Sequence, residues 1–368
     1  MARSQAMRHA PLASLEELLA PETLTRLCQE PVHTVRCGPF SKGHSASGSR
    51  FLAVETNDGQ GPSFVVKLSS PAFDWIVRGT ADHRGREMLV WTTGLLDRLP
   101  PEITHPVLAC ASDGEGWAIL MRDVSEVLLP DPLGESPLDR ADHRRYLDAL
   151  AALHVAFWNQ PQVVDPSLGF CSPWHRYTVF SPETGRREAD HPNPIVREIR
   201  EGWDLLWTLV EPDVAALLGR LLENPAPLCA ALARCPQTVV HGDPRSSNLG
   251  MLPGPPSRVV LLDWQLVGPG TPGVDLAWYL ANLGIKAPVD NDTTVAWYRE
   301  ALARRLGAAF DQRWWQPQWE LSLLGQLLRL GWGHSWEALR HPSGVIRDWT
   351  RADLAWWCAR ARDGARWL

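Results

Sequence analysis

The sequence predicts an α+β chain in two parts, an antiparallel sheet with one long helix followed by a larger, mainly helical part. Two observations carry that prediction. Between about Val32 and Met121 the apolar residues come in strand-length runs, such as Phe64, Val65, Val66 and Leu68. Beyond Met121 they return at helical spacing: in residues 139–159, Tyr146, Leu147, Leu150, Leu153, His154, Phe157 and Trp158 fall along one face. Residues 1–121 are therefore read as an N-terminal extension plus the sheet-containing part, and residues 122–368 as the helical part. A chain of 368 residues, 45% of them hydrophobic, has core enough for about two such units.

In chain order, Ser14, Leu15, Glu16 and Glu17 form a capping box that starts a short helix. A glycine- and serine-rich stretch, residues 38–49, separates two strand-like runs. Residues 81–99 place Met88, Leu89, Trp91 and Leu95 at mostly helical spacing and supply the long helix of the first part. Residues 160–194 are rich in proline, glycine and polar residues without a sustained period, which reads as a long excursion from the core. Helices are expected near residues 195–211 and 214–234. A strand of Thr238, Val239 and Val240 follows, then a second of Val259, Val260, Leu261 and Leu262, then a helix opened by Gly273, Val274, Asp275, Leu276 and Ala277.

The chemistry gathers where those two strands end. His241, Gly242, Asp243, Pro244, Arg245, Ser246, Ser247 and Asn248 leave the first, and Asp263 and Trp264 leave the second. An Asp followed five positions later by an Asn lets the carboxylate face a hydroxyl acceptor while the amide oxygen turns toward a metal. Asp263, at a strand end with apolar walls behind it, offers the hard oxygen ligand that suits Mg²⁺. Phosphoryl transfer asks for this set: metals to bridge the nucleotide phosphates and a carboxylate to orient the attacking hydroxyl. Either half alone could also be a turn bonded to its own backbone.

Letter for letter at His241, Gly242, Asp243 and Asn248, the loop resembles the HGDxxxxN catalytic loop of the aminoglycoside phosphotransferase and choline kinase superfamily, whose fold is similar to that of protein kinases. The resemblance implies a two-lobed, protein-kinase-like fold and an ATP- and Mg²⁺-dependent small-molecule phosphotransferase. By it, Asp243 is the catalytic Asp, and Asn248 and Asp263 are metal ligands. Arg245 stands where many protein kinases carry a Lys that touches the transferred phosphate, so it is read as catalytic too. The resemblance also assigns Asp275 to supporting the catalytic loop. Two residues depart from the pattern: Gln265 replaces the Gly of the protein-kinase metal-binding triplet, and Pro244 fixes its own φ inside the loop.

A nucleotide-binding half is offered upstream. Only Lys42, Lys67 and Lys286 are lysines in a chain with 36 Lys plus Arg, and Lys67 lies inside a strand-like run. A compact ammonium there suits nucleotide phosphates; an edge-strand Lys facing water is the other reading. The resemblance favours Glu87 as its carboxylate partner, with Asp82 and Glu55 as rivals. Residues 38–49, Ser45 among them, would bring backbone N–H groups to phosphates, although a ligand-free hairpin loop fits them equally. Residues 117–123 run from a strand into a polar turn, and the resemblance makes them the hinge, with the Met121 and Arg122 backbone meeting adenine.

The resemblance places the acceptor site among C-terminal helices. Trp332 and Trp336, one helical turn apart beside His334, are read as substrate-binding, through cation–π attraction or as a flat apolar wall; helix packing is the ordinary alternative for large aromatics. Residues 266–368 carry ten acids against twelve Lys plus Arg. A polycationic aminoglycoside prefers an acidic pocket, so an antibiotic kinase follows only if the acceptor pocket is locally acidic.

Composition removes other classes. The net charge of −6 and the lack of a basic stripe with interleaved aromatics exclude nucleic acid as a partner. Seven cysteines without a CxxC pair fit a reducing compartment. No run approaches the ~20 apolar residues of a membrane span, so a cytoplasmic enzyme without a membrane partner is expected. A nucleotide-binding relative that transfers no phosphate and acts as a sensor remains an alternative. A hydrolase reading of Gly43, His44, Ser45, Ala46 and Ser47 is discounted, because the second Gly of a nucleophile elbow is missing. The acceptor, ATP against GTP, and the oligomeric state are left open.

Overall fold

The computed structural model describes residues 9–41, 45–129 and 138–368, and the chain divides into two compact units. Lys42, Gly43 and His44 lie outside the described residues.

The first unit takes in Met1–Leu128 and Gly250–Gln265. Its strands are β1 (Val35–Pro39), β2 (Arg50–Thr56), β3 (Phe64–Ser69), β4 (Ile103–Thr104), β5 (Val107–Asp113) and β6 (Gly116–Arg122). Five of them form one sheet in the order β1-β2-β3-β6-β5, with every neighbouring pair antiparallel. β3 is therefore central and Lys67 is not an edge residue. Side chains alternate across a strand, and β3 uses both faces. Phe64 and Val66 join Val54, Ala118 and Leu120 under Leu18 and Leu24 of the helices Leu15–Leu18 and Pro21–Cys28. Val65 packs with Ile119, Met121 and Val77 on the other face, against Met88 and Trp91. Lys67 shares the parity of Val65. The N-terminal segment thus covers one sheet face, and Leu12 closes an edge by bonding Cys110 O and Ser112 N of β5. β4 belongs to a second sheet, parallel to Arg258–Leu261, which pairs in turn with Leu249–Leu252.

Two local expectations need correction here. The helix expected over residues 81–99 is confined to Arg86–Thr92, because Gly85 (φ 70°) starts it and Gly94 (φ 65°) follows its end in left-handed conformations. The capping box is also shifted: Ser14 Oγ accepts from Glu17 N, but the Glu17 carboxylate reaches Ala13 N at 2.8 Å rather than its own cap.

The second unit takes in Leu129–Leu249 and Leu266–Leu368 and is built around the helix Gln312–Arg340, on which Gly344–Ala365, Pro194–Leu209 and Pro272–Leu283 pack. Residues 160–194 are not structureless. They hold helices Pro173–Thr178 and Pro182–Arg187, each opened by a serine cap and a proline, too short to show a period. The expected helix over residues 214–234 is two, Pro212–Glu223 and Ala226–Ala233, separated at Pro225. Arg140–Ala156 is a single core helix capped by Asp139. Its His143 is fully buried between Tyr279 Oη (2.8 Å) and Thr294 Oγ1 (3.0 Å).

Burial lowers the His143 pKa to about 4. An unfolded histidine takes up its proton near pH 6.5 while the folded one stays neutral, so this contribution to stability is whole above that pH and shrinks as pH falls toward 4. Between pH 7 and pH 5 the wild type should lose about 2 kcal/mol from this group, by the linkage relation. His143→Gln should be missing that increment in urea titrations at the two pH values; an unchanged slope would contradict the assignment.

Candidate active site

In the first unit, Lys67 Nζ lies 2.8 Å from Glu87 Oε2 and 2.8 Å from Asp263 Oδ1. β3 supplies the lysine, the first turn of the Arg86–Thr92 helix supplies Glu87, and Asp263 follows the Arg258–Leu261 strand. The rivals are engaged elsewhere: Asp82 accepts the Arg86 N–H, and Glu55 is exposed on β2. Burial pulls Lys67 toward its neutral form, but Asp263 and Glu87 more than offset that and hold the ammonium above the ordinary lysine range. One cation cannot neutralise two carboxylates. Burial therefore dominates over the attraction of Lys67 at Glu87 and pushes its carboxyl up to about 7, whereas Asp263 is partly solvated, at 22% side-chain exposure. Asp263 also has φ 65°, a left-handed conformation that costs a non-glycine residue free energy and concentrates at functional positions.

A buried polar network fixes this turn. Arg86, beside Glu87, donates from Nη1 to Gln265 O at 2.8 Å and from Nη2 to Thr80 O at 2.8 Å. Gln265 Nε2 donates to Asp74 Oδ2 at 3.1 Å, and that same oxygen accepts from Ser47 Oγ (2.8 Å) and Ser49 Oγ (2.5 Å). Asp74 Oδ1 caps the helix Trp75–Gly79 at Ile76 N and Val77 N. The Gln265 departure thus has a structural use: its amide ties the turn after Asp263 to the serine loop. Ser45 Oγ accepts from Ser47 N and Gly48 N, closing the same loop. Met121 packs under the sheet, while the Arg122 and Asp123 N–H groups already bond Pro106 O and Ser63 O.

In the second unit, the loop after Thr238–Val240 is held by a fully buried carboxylate. Asp275 Oδ2 accepts from His241 N at 2.7 Å and Oδ1 from Gly242 N at 2.8 Å, with His154 Nε2 3.2 Å from Oδ2. Burial would raise its pKa, but His154, His241 and these donors outweigh it and keep Asp275 below the usual carboxylate range. Asp243 N donates to His241 Nδ1 at 3.2 Å. The Asp243 carboxylate takes Trp278 Nε1 on Oδ1 at 2.6 Å and Asn248 Nδ2 on Oδ2 at 3.0 Å, with Arg245 Nε 3.5 Å from Oδ2. Asn248 Nδ2 also reaches Asp243 O at 3.0 Å. Its NH₂ group faces the Asp, which leaves the amide oxygen as the metal-type donor. Arg329, on the long helix, donates from Nη2 to Gly242 O at 3.1 Å and stacks 3.9 Å above the Trp278 ring.

Trp332 and Trp336 differ in their surroundings. Trp332 is buried, donates to Arg329 O and leans on Phe180, whereas Trp336 is half-buried without a ring contact among the described residues. Sequence reasoning missed Asp74, Arg86, Trp278 and Arg329. The signals were slight: Arg86 next to Glu87, and Trp278 three residues beyond Asp275.

Gly242 has φ 88°, and a Cβ there would stand 2.3 Å from Leu266 O. Gly242→Ala should cost at least about 1–3 kcal/mol of stability from backbone strain, measured by chemical denaturation; wild-type stability would refute the constraint.

Residues 39–317 match the family model described as phosphotransferase enzyme family. Comparison with curated proteins gives no match. Among solved structures, the chain is similar to an ethanolamine kinase of Plasmodium vivax at 12% identity and a TM-score of 0.50, covering 89% of this chain and 83% of that one. It is similar to a choline kinase of Streptococcus pneumoniae at 14% identity and 0.45, covering 92% and 96%. An aminoglycoside phosphotransferase of Streptomyces rimosus, solved with ADP and streptomycin, aligns at 19% identity and 0.45, covering 86% and 99%.

Proposed function

The chain belongs to the phosphotransferase enzyme family, and on that premise we propose that it is an ATP- and Mg²⁺-dependent kinase that moves the γ-phosphate to a hydroxyl of a small molecule. The observation that carries the reading is the buried ammonium of Lys67 between Glu87 and Asp263. A strand lysine steadied by a helix carboxylate is the means by which kinase-type folds present a cation to nucleotide phosphates.

The residues divide the work by their chemistry. Lys67 binds phosphate oxygens, and Glu87 keeps its ammonium aimed. Mg²⁺, when bound, would take hard oxygen donors of the kind that the Asn248 amide and the Asp263 carboxylate each offer, and would neutralise phosphate charge. Asp243 orients the acceptor hydroxyl and accepts its proton. Arg245 sets a guanidinium beside Asp243, where negative charge develops on the transferred group. The serine loop containing Ser45 would contribute to phosphate binding. The adenine contact stays assigned to the backbone at Met121 and Arg122, through groups other than the Arg122 N–H, which bonds Pro106 O.

Asp243→Asn should bind Mg-nucleotide as the wild type does, raising the melting temperature equally, yet form no phosphorylated product in a mixed hydroxyl-metabolite library read by mass spectrometry. Equal product from both chains would overturn the role of Asp243. A nucleotide-induced rise in melting temperature without transfer by the wild type would favour the sensor reading.

A further inference from the structure

Resting on the reading that Asp243 serves the acceptor hydroxyl, we propose that Trp278 is a positioning residue for the Asp243 carboxylate and that Arg329 locks Trp278 in place. A carboxylate on a single donor can still swing, because its terminal torsion is broad. Here each oxygen has its own donor: Trp278 Nε1 at 2.6 Å on Oδ1 and Asn248 Nδ2 at 3.0 Å on Oδ2. Two donors from different elements fix the plane of the group as well as its direction.

The indole is itself held on its faces. Phe180 stacks on it with centroids 5.8 Å apart at 22°, and the Arg329 guanidinium lies 3.9 Å from the ring centroid. Arg329 is 1% exposed and makes no ion pair within 4 Å among the described residues, and its Nε and Nη1 lack hydrogen-bond partners. Burial, with repulsion from Arg176, lowers its pKa to about 10, which still leaves it charged at neutral pH. A buried guanidinium without a carboxylate in contact is costly, and an apolar side chain of similar volume would fill the space more cheaply. Packing alone therefore gives no reason for it. What the cation does contact is the electron-rich face of Trp278 and the Gly242 carbonyl, the residue before Asp243. One group thus secures both the backbone that presents Asp243 and the ring that holds its carboxylate. A cation on the ring face also draws electron density from the indole and makes Nε1–H the stronger donor.

Trp278→Phe keeps a ring for Phe180 and Arg329 but lacks the N–H. It should lower kcat by about ten- to hundredfold, the scale of a small misplacement of a reacting group, with KM for Mg-nucleotide and the melting temperature near wild type. Trp278→His, whose ring N–H can replace the donor, should recover part of the loss. In ¹H–¹⁵N spectra, the indole resonance missing from Trp278→Phe should shift in Asp243→Asn. Wild-type kcat in Trp278→Phe, or an indole resonance indifferent to Asp243→Asn, would overturn the proposal. So would a loss of kcat matched by loss of nucleotide affinity and not recovered by His, which marks a packing role. If the wild type phosphorylates no acceptor, the transfer reading falls and the role in transfer with it, while the spectrum still reports the bond itself.

Discussion

The buried Asp275 carboxylate is the interaction on which the loop of residues 241–248 depends. It takes two successive backbone N–H groups, His241 and Gly242, on its two oxygens, and the His154 ring stands beside it. Backbone donors at the start of a loop have no strand partner and are expensive to bury unpaired. Asp275 satisfies both and, because it is part of a helix rather than a loop, passes the rigidity of Pro272–Leu283 to the residues that lead into Asp243. The left-handed Gly242 completes the turn against Leu266 O, where no side chain fits. The same helix, one turn later, presents Trp278 to the Asp243 carboxylate.

The first unit solves a different problem, that of keeping a charge inside a sheet. Lys67 sits on a central strand, where desolvation opposes the ammonium, and two carboxylates restore it. The cost falls on Glu87, which is left with more carboxylate than one cation can neutralise. Arg86 and Asp74 then hold the frame around the pair: the buried guanidinium grips Gln265 O, and the buried carboxylate collects Ser47, Ser49, Gln265 and two helix N–H groups. Such networks are favourable only when each member is satisfied, so they specify one arrangement rather than several.

Much of this was legible before any coordinates. The scarcity of lysine singled out Lys67, and the strand endings singled out Asp243, Asn248 and Asp263, because a polar residue directly after an apolar run is a local signal. The pairing of Lys67 with Glu87 followed from the resemblance, and Asp275 came the same way. What sequence could not expose was any partner separated by long stretches of chain: Arg329 reaches Gly242 across 87 residues, and Gln265 reaches Asp74 across 191. Element lengths were misjudged where left-handed glycines, as at Gly85 and Gly94, or serine–proline starts, as at Ser172 and Ser181, cut helices below the length at which a period shows.

The alternation along β3 carries a further consequence for how this chain can vary. Val65 and Lys67 face one layer while Phe64 and Val66 face the other, and each layer is already packed. Deleting or inserting one residue within Phe64–Ser69 would exchange the two sets, driving the ammonium among Leu18 and Leu24 and setting an apolar side chain against Glu87. A change of length outside the strand leaves this alternation as it is, whereas one within the hexapeptide reverses it.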